Sequence, residues 1–128
     1  TVISLLRRVI APYPLPSPVV SLAMAMLEEK ALSRQRDMLQ QVRENKGILL
    51  GLLEQRPFVQ AIYPGEANFV LIRVDDADGL LTHCARQNVI LRGFPAEPVL
   101  RDCIRISVGS KDDLTRLAKA LDDWESGH

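Results

Sequence analysis

At 128 residues, 47% of them hydrophobic and 25% charged, with a mean hydropathy of +0.02, the chain is long enough to bury a core without disulfides or metal. Sixteen basic residues balance sixteen acidic ones, which argues against nucleic acid or an anionic membrane surface as partner, so any anion site must be local. No apolar run approaches membrane-spanning length and no charged n-region leads into an h-region, while Cys84 and Cys103, far apart and outside any CxxC pair, read as reduced core thiols of a cytoplasmic protein.

The chain opens at Thr1 already inside a helical pattern, so we expect a piece of something longer. Val2, Ile3, Leu5, Leu6, Val9 and Ile10 recur at helical spacing over residues 2–10, with Arg7 and Arg8 opposite. Prolines at 12, 14, 16 and 18 then impose an extended connector. Ser17 is placed to cap the next helix, with Pro18 in its first turn. From Val19 to Leu27 that helix is apolar nearly all round, which calls for cover by a further domain or a partner subunit. A longer helix is expected from Ser33 to about Gln55, with Met38, Leu39, Val42, Leu49, Leu52 and Leu53 on one face. Gly47 and Gly51 interrupt it one turn apart, as if a neighbour approached closely. Arg56-Pro57 stops it.

Beyond Pro57 the period changes to two. Val59–Tyr63 and Asn68–Val74 read as strands around a Pro64-Gly65 turn. Asp75, Asp76 and Asp78 supply caps for a helix over 79–87, Val89–Arg92 is the next strand, and 93–101 is a loop. Cys103–Val108 forms the last strand, and Ser110 caps a final helix whose stripe is Leu114, Leu117, Ala118, Leu121 and Trp124. The order predicts an α+β fold, a small mixed or antiparallel sheet of three to four strands with helices packed on one face and a crossover through the 79–87 helix. The expected division is 1–17, a helix and Pro-rich connector, followed by a domain over 18–128.

Two arginines carry what chemistry there is. On a period-2 strand Arg105 shares its face with Cys103 and Ser107, small residues that leave room for a planar fork of donors suited to carboxylate or phosphate, although the stretch alone favours an arginine on the solvated face of an ordinary strand. Arg92 ends the preceding strand, and hairpin pairing would bring the two together; equally, Arg92 could tie structurally to Glu97 or Asp102. Asn68 opens its strand where an amide can close a turn or reach a ligand. Lys30, Lys46, Lys111 and Lys119 sit among other charges, with no apolar setting to make a nucleophile. Ser107 has no histidine partner, and His83 and His128 have no metal-ligand spacing. The residues alone describe a binding surface without a catalytic centre.

Leu6-Arg7-Arg8-Val9-Ile10-Ala11-Pro12-Tyr13-Pro14-Leu15, then Glu66-Ala67-Asn68-Phe69-Val70-Leu71, Val89-Ile90-Leu91-Arg92 and Cys103-Ile104-Arg105-Ile106-Ser107-Val108-Gly109 closely resemble the carboxy-terminal third of the bacterial histidinol-phosphate aminotransferases, within the class II aminotransferases. The resemblance runs in order over essentially the whole chain. It implies the small domain of a fold-type-I, homodimeric enzyme of histidine biosynthesis that depends on pyridoxal 5'-phosphate. That enzyme moves an amino group from L-histidinol phosphate to 2-oxoglutarate, giving imidazole-acetol phosphate and glutamate. By position, Arg105 matches the arginine that binds the substrate's anionic end and Arg92 a second arginine of that site; Asn68 is an accessory candidate only from its place at the start of its strand. The family's Schiff-base lysine and most cofactor contacts would lie in a large domain preceding Thr1, so the chain alone is expected neither to hold the cofactor nor to transaminate. The rival expectations are a related class II aminotransferase, such as an aromatic aminotransferase, or a threonine-phosphate decarboxylase, which share the Arg-Ile-Ser-Val-Gly strand, and a stand-alone small-molecule sensor.

Overall fold

A computed structural model of the chain describes residues 2–10 and 15–127. The chain divides into two compact units, residues 1–38 and 39–128. In the first, α1 (Val2–Val9) and α2 (Ser17–Met26) bury no residue. Pro12 and Pro14 lie outside the described residues. The cap of α2 differs from expectation: Pro16, at φ −59° and ψ 140°, precedes the helix without a side-chain cap, and Ser17 is already helical. The reason is the Pro16 carbonyl, which takes the Val19 and Val20 amides at 2.9 and 3.1 Å, while Pro18 has no N–H to satisfy. Helix α3 (Glu29–Glu54) begins four residues earlier than the sequence pattern implies. Nothing between Leu27 and Ser33 breaks a helix, so the Glu28 carbonyl accepts from Ala31 and Leu32 and the chain re-enters helix at once.

The second unit starts within α3, where Asn45, Leu49 and Leu53 recur every four residues as its buried edge. Strands β1 (Val59–Tyr63), β2 (Phe69–Val74), β3 (Arg92–Gly93) and β4 (Cys103–Ser107) form one sheet in the order β1-β2-β4-β3, every neighbouring pair antiparallel. Strands β2 and β3 therefore run parallel with β4 between them, and α4 (Ala77–Arg86) makes the expected crossover. Val70, Ile72, Val74, Ile104 and Ile106 turn one face of the sheet into a core with Leu49 and Leu53 of α3, Leu80 and Cys84 of α4, and Leu114, Leu117, Leu121 and Trp124 of α5 (Lys111–Ser126). Burying the branched chains of that face, at ~1.5–3 kcal/mol each, is what holds three helices against one side of the sheet.

Caps set the element ends. Asp76 accepts from the Gly79 amide at 2.9 Å, and Ser110 and Asp113 form a reciprocal capping box on α5. A Cβ on Gly109 would lie 2.7 Å from that of Asp113, so only glycine allows the box to close there. The expected strand over 89–92 shrinks to the pair Arg92–Gly93. Val89 donates its amide to the Cys84 carbonyl at 2.9 Å and Asn88 takes φ 61°, so the chain is still closing α4 when the apolar run begins. Val89 and Leu91 pack on the core, whereas Ile90 is 80% exposed. The splayed segment leaves a cleft of about 220 Å³ lined by Ile106, Leu114 and Leu117 together with the polar Ser107, Asp113 and Arg116.

Candidate functional site

The face of the sheet opposite the helices carries the two candidate arginines. Register places Tyr63 across from Leu71, Leu71 across from Arg105, and Arg105 across from Arg92, so these four form one row over all four strands. Residues directly opposite in an antiparallel ladder project from the same face. The hairpin juxtaposition of Arg92 and Arg105 is therefore realised at the level of backbone, although β3 contributes only two residues to it. Arg105 is half-buried and Arg92 exposed.

Among the described residues neither arginine has a carboxylate partner. The guanidinium carbon of Arg105 lies 5.2 Å from the centroid of the Phe69 ring, and that of Arg92 lies 5.8 Å from the centroid of Phe94. Among the described residues neither makes an ion pair or a hydrogen bond, and Nε of Arg105 is buried without a partner. Asp102, one structural partner considered for Arg92, instead faces Arg73 at 3.8 Å, and Arg73 also donates to the Val99 carbonyl at 3.2 Å, holding the 94–102 loop near the sheet. A guanidinium whose donors are vacant in a half-buried position can accept a planar oxyanion at little rearrangement.

Asn68 is exposed at the end of β2, its carbonyl taking the Val108 amide at 2.9 Å. Its approach is anchored from α3: Lys46 donates to the carbonyls of Gly65 and Ala67, both at 2.8 Å, and Asn45 donates to the carbonyl of Gly109 at 2.9 Å. Two adjacent helical residues thus pin the loops that enter β2 and leave β4. Asn45 and Phe69 were legible without being read: Asn45 stands four residues before Leu49 on the apolar stripe, and Phe69 alternates with Leu71 on the face that Arg105 occupies. Phe94 gives no periodic signal, since it lies in the loop.

The lysines do not fit a pyridoxal phosphate cradle. Lys46 is committed to two carbonyls, and Lys30, Lys111 and Lys119 are exposed. His83 is structural, its Nε2 3.0 Å from the Ala120 carbonyl and 2.9 Å from Gln87 Nε2, with its ring edge-on to Trp124. No group of metal-binding side chains occurs among the described residues, and none of their helices is long and apolar enough to cross a membrane. Both cysteines are buried and free, and burial pushes the Cys84 thiol up to about 11.

A one-sided antiparallel sheet with Arg92 and Arg105 in register on the face away from the helices defines a small α+β domain, and comparison with known proteins says which kind. The chain belongs to the family described as aminotransferase class I and II, which it matches over residues 1–121. It is 36% identical over 122 residues to a histidinol-phosphate aminotransferase of Cronobacter sakazakii, covering 95% of this chain and 34% of that protein. It is 37% identical over 119 residues to the enzyme of that name from Xanthomonas axonopodis pv. citri, covering 93% and 33%. The chain thus spans about a third of the length of these relatives. Among solved structures, a decarboxylase from Sulfurospirillum multivorans superposes with a TM-score of 0.78 at 16% identity, over 91% of this chain and 31% of that one. A histidinol-phosphate aminotransferase from Clostridium acetobutylicum gives 0.68 at 18%, over 73% and 29%. At such identities these two show the shared fold.

Proposed function

We propose that this chain is the small, substrate-anion-binding domain of a cytoplasmic, homodimeric aminotransferase that converts L-histidinol phosphate and 2-oxoglutarate to imidazole-acetol phosphate and glutamate. The observation that carries the reading is the pair Arg92–Arg105, opposite each other in the β3–β4 ladder, neither with a carboxylate partner among the described residues. A guanidinium fork accepts the carboxylate of glutamate and the phosphate of histidinol phosphate alike, which an enzyme alternating between the two substrates needs. Arg105 is the principal anion ligand, Arg92 its companion at the sheet edge, and Asn68 an accessory group at the rim. Pyridoxal phosphate supplies the electron sink in such enzymes, and here its binding and the Schiff-base lysine fall to an N-terminal large domain of the parent. What this domain does is bind and orient the substrate's anionic end.

Titration calorimetry of the 128-residue chain with glutamate and with histidinol phosphate tests the proposal. Millimolar or weaker binding is expected from half a site, and micromolar binding by the chain alone would overturn it in favour of a stand-alone sensor. Joined to the rest of its parent and supplied with pyridoxal phosphate, the domain should support turnover that Arg105→Ala lowers by ~100-fold in kcat/KM. Profiling the parent's amine donors separates histidinol phosphate from aromatic amino acids, and release of carbon dioxide would instead mark a decarboxylase.

A further inference from the structure

We propose that Phe69 is the positioning residue of this site: its ring fixes the Arg105 guanidinium so that an oxyanion meets the fork in its own plane. The proposal rests on reading Arg105 as an oxyanion ligand. Register makes the ring the diagonal neighbour of Arg105, because Phe69 stands across from Ser107 and Leu71 across from Arg105. At that spacing a long side chain on one strand reaches an aromatic on the next. Leu71, directly opposite, offers the guanidinium no acceptor, and Ser107 is too small to compete for space over the ring.

Three arginines that are tied to carboxylates show by contrast what the ring is for. Arg56 is held by Asp122 and Glu125 at 2.6 and 3.0 Å, Arg36 by Glu29 at 3.0 Å, and Arg73 faces Asp102 at 3.8 Å. A carboxylate holds a guanidinium by occupying donors at its terminal nitrogens and offsetting its charge, both of which an incoming anion would need. An aromatic face attracts the same cation through its quadrupole and leaves the N–H groups free. Among the described residues, Arg105 and Arg92, on the site row, are the two arginines found over rings. At Arg105 the effect is stronger, since Nε is also shut off from solvent without a partner, so only the terminal nitrogens remain to meet a ligand. With Phe69 on one side and Nε closed off, the terminal nitrogens present the edge at which a carboxylate or phosphate takes two parallel hydrogen bonds.

Nitrogen-15 NMR of the ligand-free chain tests this, with the Arg105 Nε–H resonance assigned by its loss in Arg105→Lys. In the unaltered chain the resonance should carry a ring-current displacement. Phe69→Leu, which keeps apolar bulk, should move it toward the position of exposed arginines such as Arg34, and Phe69→Trp, with a larger ring current, should move it the opposite way. A general disturbance of the strand would not produce opposite signs. Protection of the Val108 amide, which bonds to the Asn68 carbonyl alongside, reports whether the strand edge is intact. An Nε–H that stays put in Phe69→Leu while Val108 remains protected, or that moves the same way in both variants, overturns the proposal. If Phe69→Leu loses the Val108 protection, the Trp variant decides alone, and an unmoved resonance there overturns it equally. Because no ligand enters the measurement, its failure removes the role of Phe69 and leaves the oxyanion reading to the calorimetric titration.

Discussion

Arginine serves two ends in this domain, and neighbours more than position in the sequence tell them apart. Arg56 is the structural kind, its side chain 11% exposed and clamped between the end of α3 and two carboxylates of α5. Arg56→Met should lower stability by about 1–2 kcal/mol in denaturant unfolding, a modest figure because Asp122 and Glu125 are more than a third exposed and return to water when their partner goes. A loss indistinguishable from zero would show the clamp to be decorative. Asp113 gives a second residue-scale expectation. The Ser110 hydroxyl, then the Ser110 amide, with Arg116 nearby, hold its carboxyl below the ordinary aspartate value of 3.8. A depressed folded value means that the capping box stabilises fully above the unfolded pKa and is lost as pH falls through the folded one. An NMR titration of the Asp113 carboxyl carbon should therefore have its midpoint below 3.8, and Ser110→Ala should bring it back up; a midpoint unmoved by that change would refute the assignment.

At the scale of elements, α3 does more than cover the sheet. From one turn it extends Asn45 and Lys46 to the loops flanking β2 and β4, so the rim around Asn68 and Gly109 is set by the helix as well as by the sheet. The glycines that follow behave unlike the expectation of close packing: a Cβ added at Gly47 or Gly51 meets nothing within 4 Å. Each of Gly47→Ala and Gly51→Ala should therefore stabilise the chain by ~0.5–1 kcal/mol in thermal unfolding, by restricting the unfolded backbone and favouring helix. Destabilisation would mean that something packs there in solution. Strand β3 shows the limit of pattern reading. Val89-Ile90-Leu91 has the composition of a strand, but its first amide is spent on the C-terminus of α4, so only Arg92 and Gly93 reach the ladder. Gly93 lets the short strand lie close to α4: a Cβ there would come within 2.5 Å of the Leu81 methyl, which would have to move aside.

For the whole molecule, the two units differ in what they bury. Every residue of the main core lies in 39–128, while Val2, Ile3, Leu5, Leu6, Val9, Val19, Val20, Leu22, Met24 and Met26 are exposed in α1 and α2. A chain starting at Leu39 should keep a cooperative unfolding transition, and the 128-residue chain should self-associate through the apolar helices in sedimentation, as exposed surface of that extent does. A monomeric 128-residue chain, or an unfolded 39–128 piece, would contradict this.

The fold class, the crossover through α4, the one-sided helix layer and the caps at Asp76 and Ser110 were all legible in the sequence, because each depends on local period and local hydrogen bonding that a stretch of ten residues already contains. The family was legible too, in the connector after α1 and in the strands around Phe69 and Arg105. The single chain could not by itself distinguish a vacant arginine from a tied one. Arg92 with Asp102 and Arg92 with Arg105 were equally open along the sequence, and only antiparallel register across three strands set Arg105 beside Phe69, gave Asp102 to Arg73, and left both guanidiniums on the open face without a carboxylate. Local order follows from neighbours in the chain, whereas the charge environment of a side chain follows from neighbours in space, and those exist only once the sheet has closed.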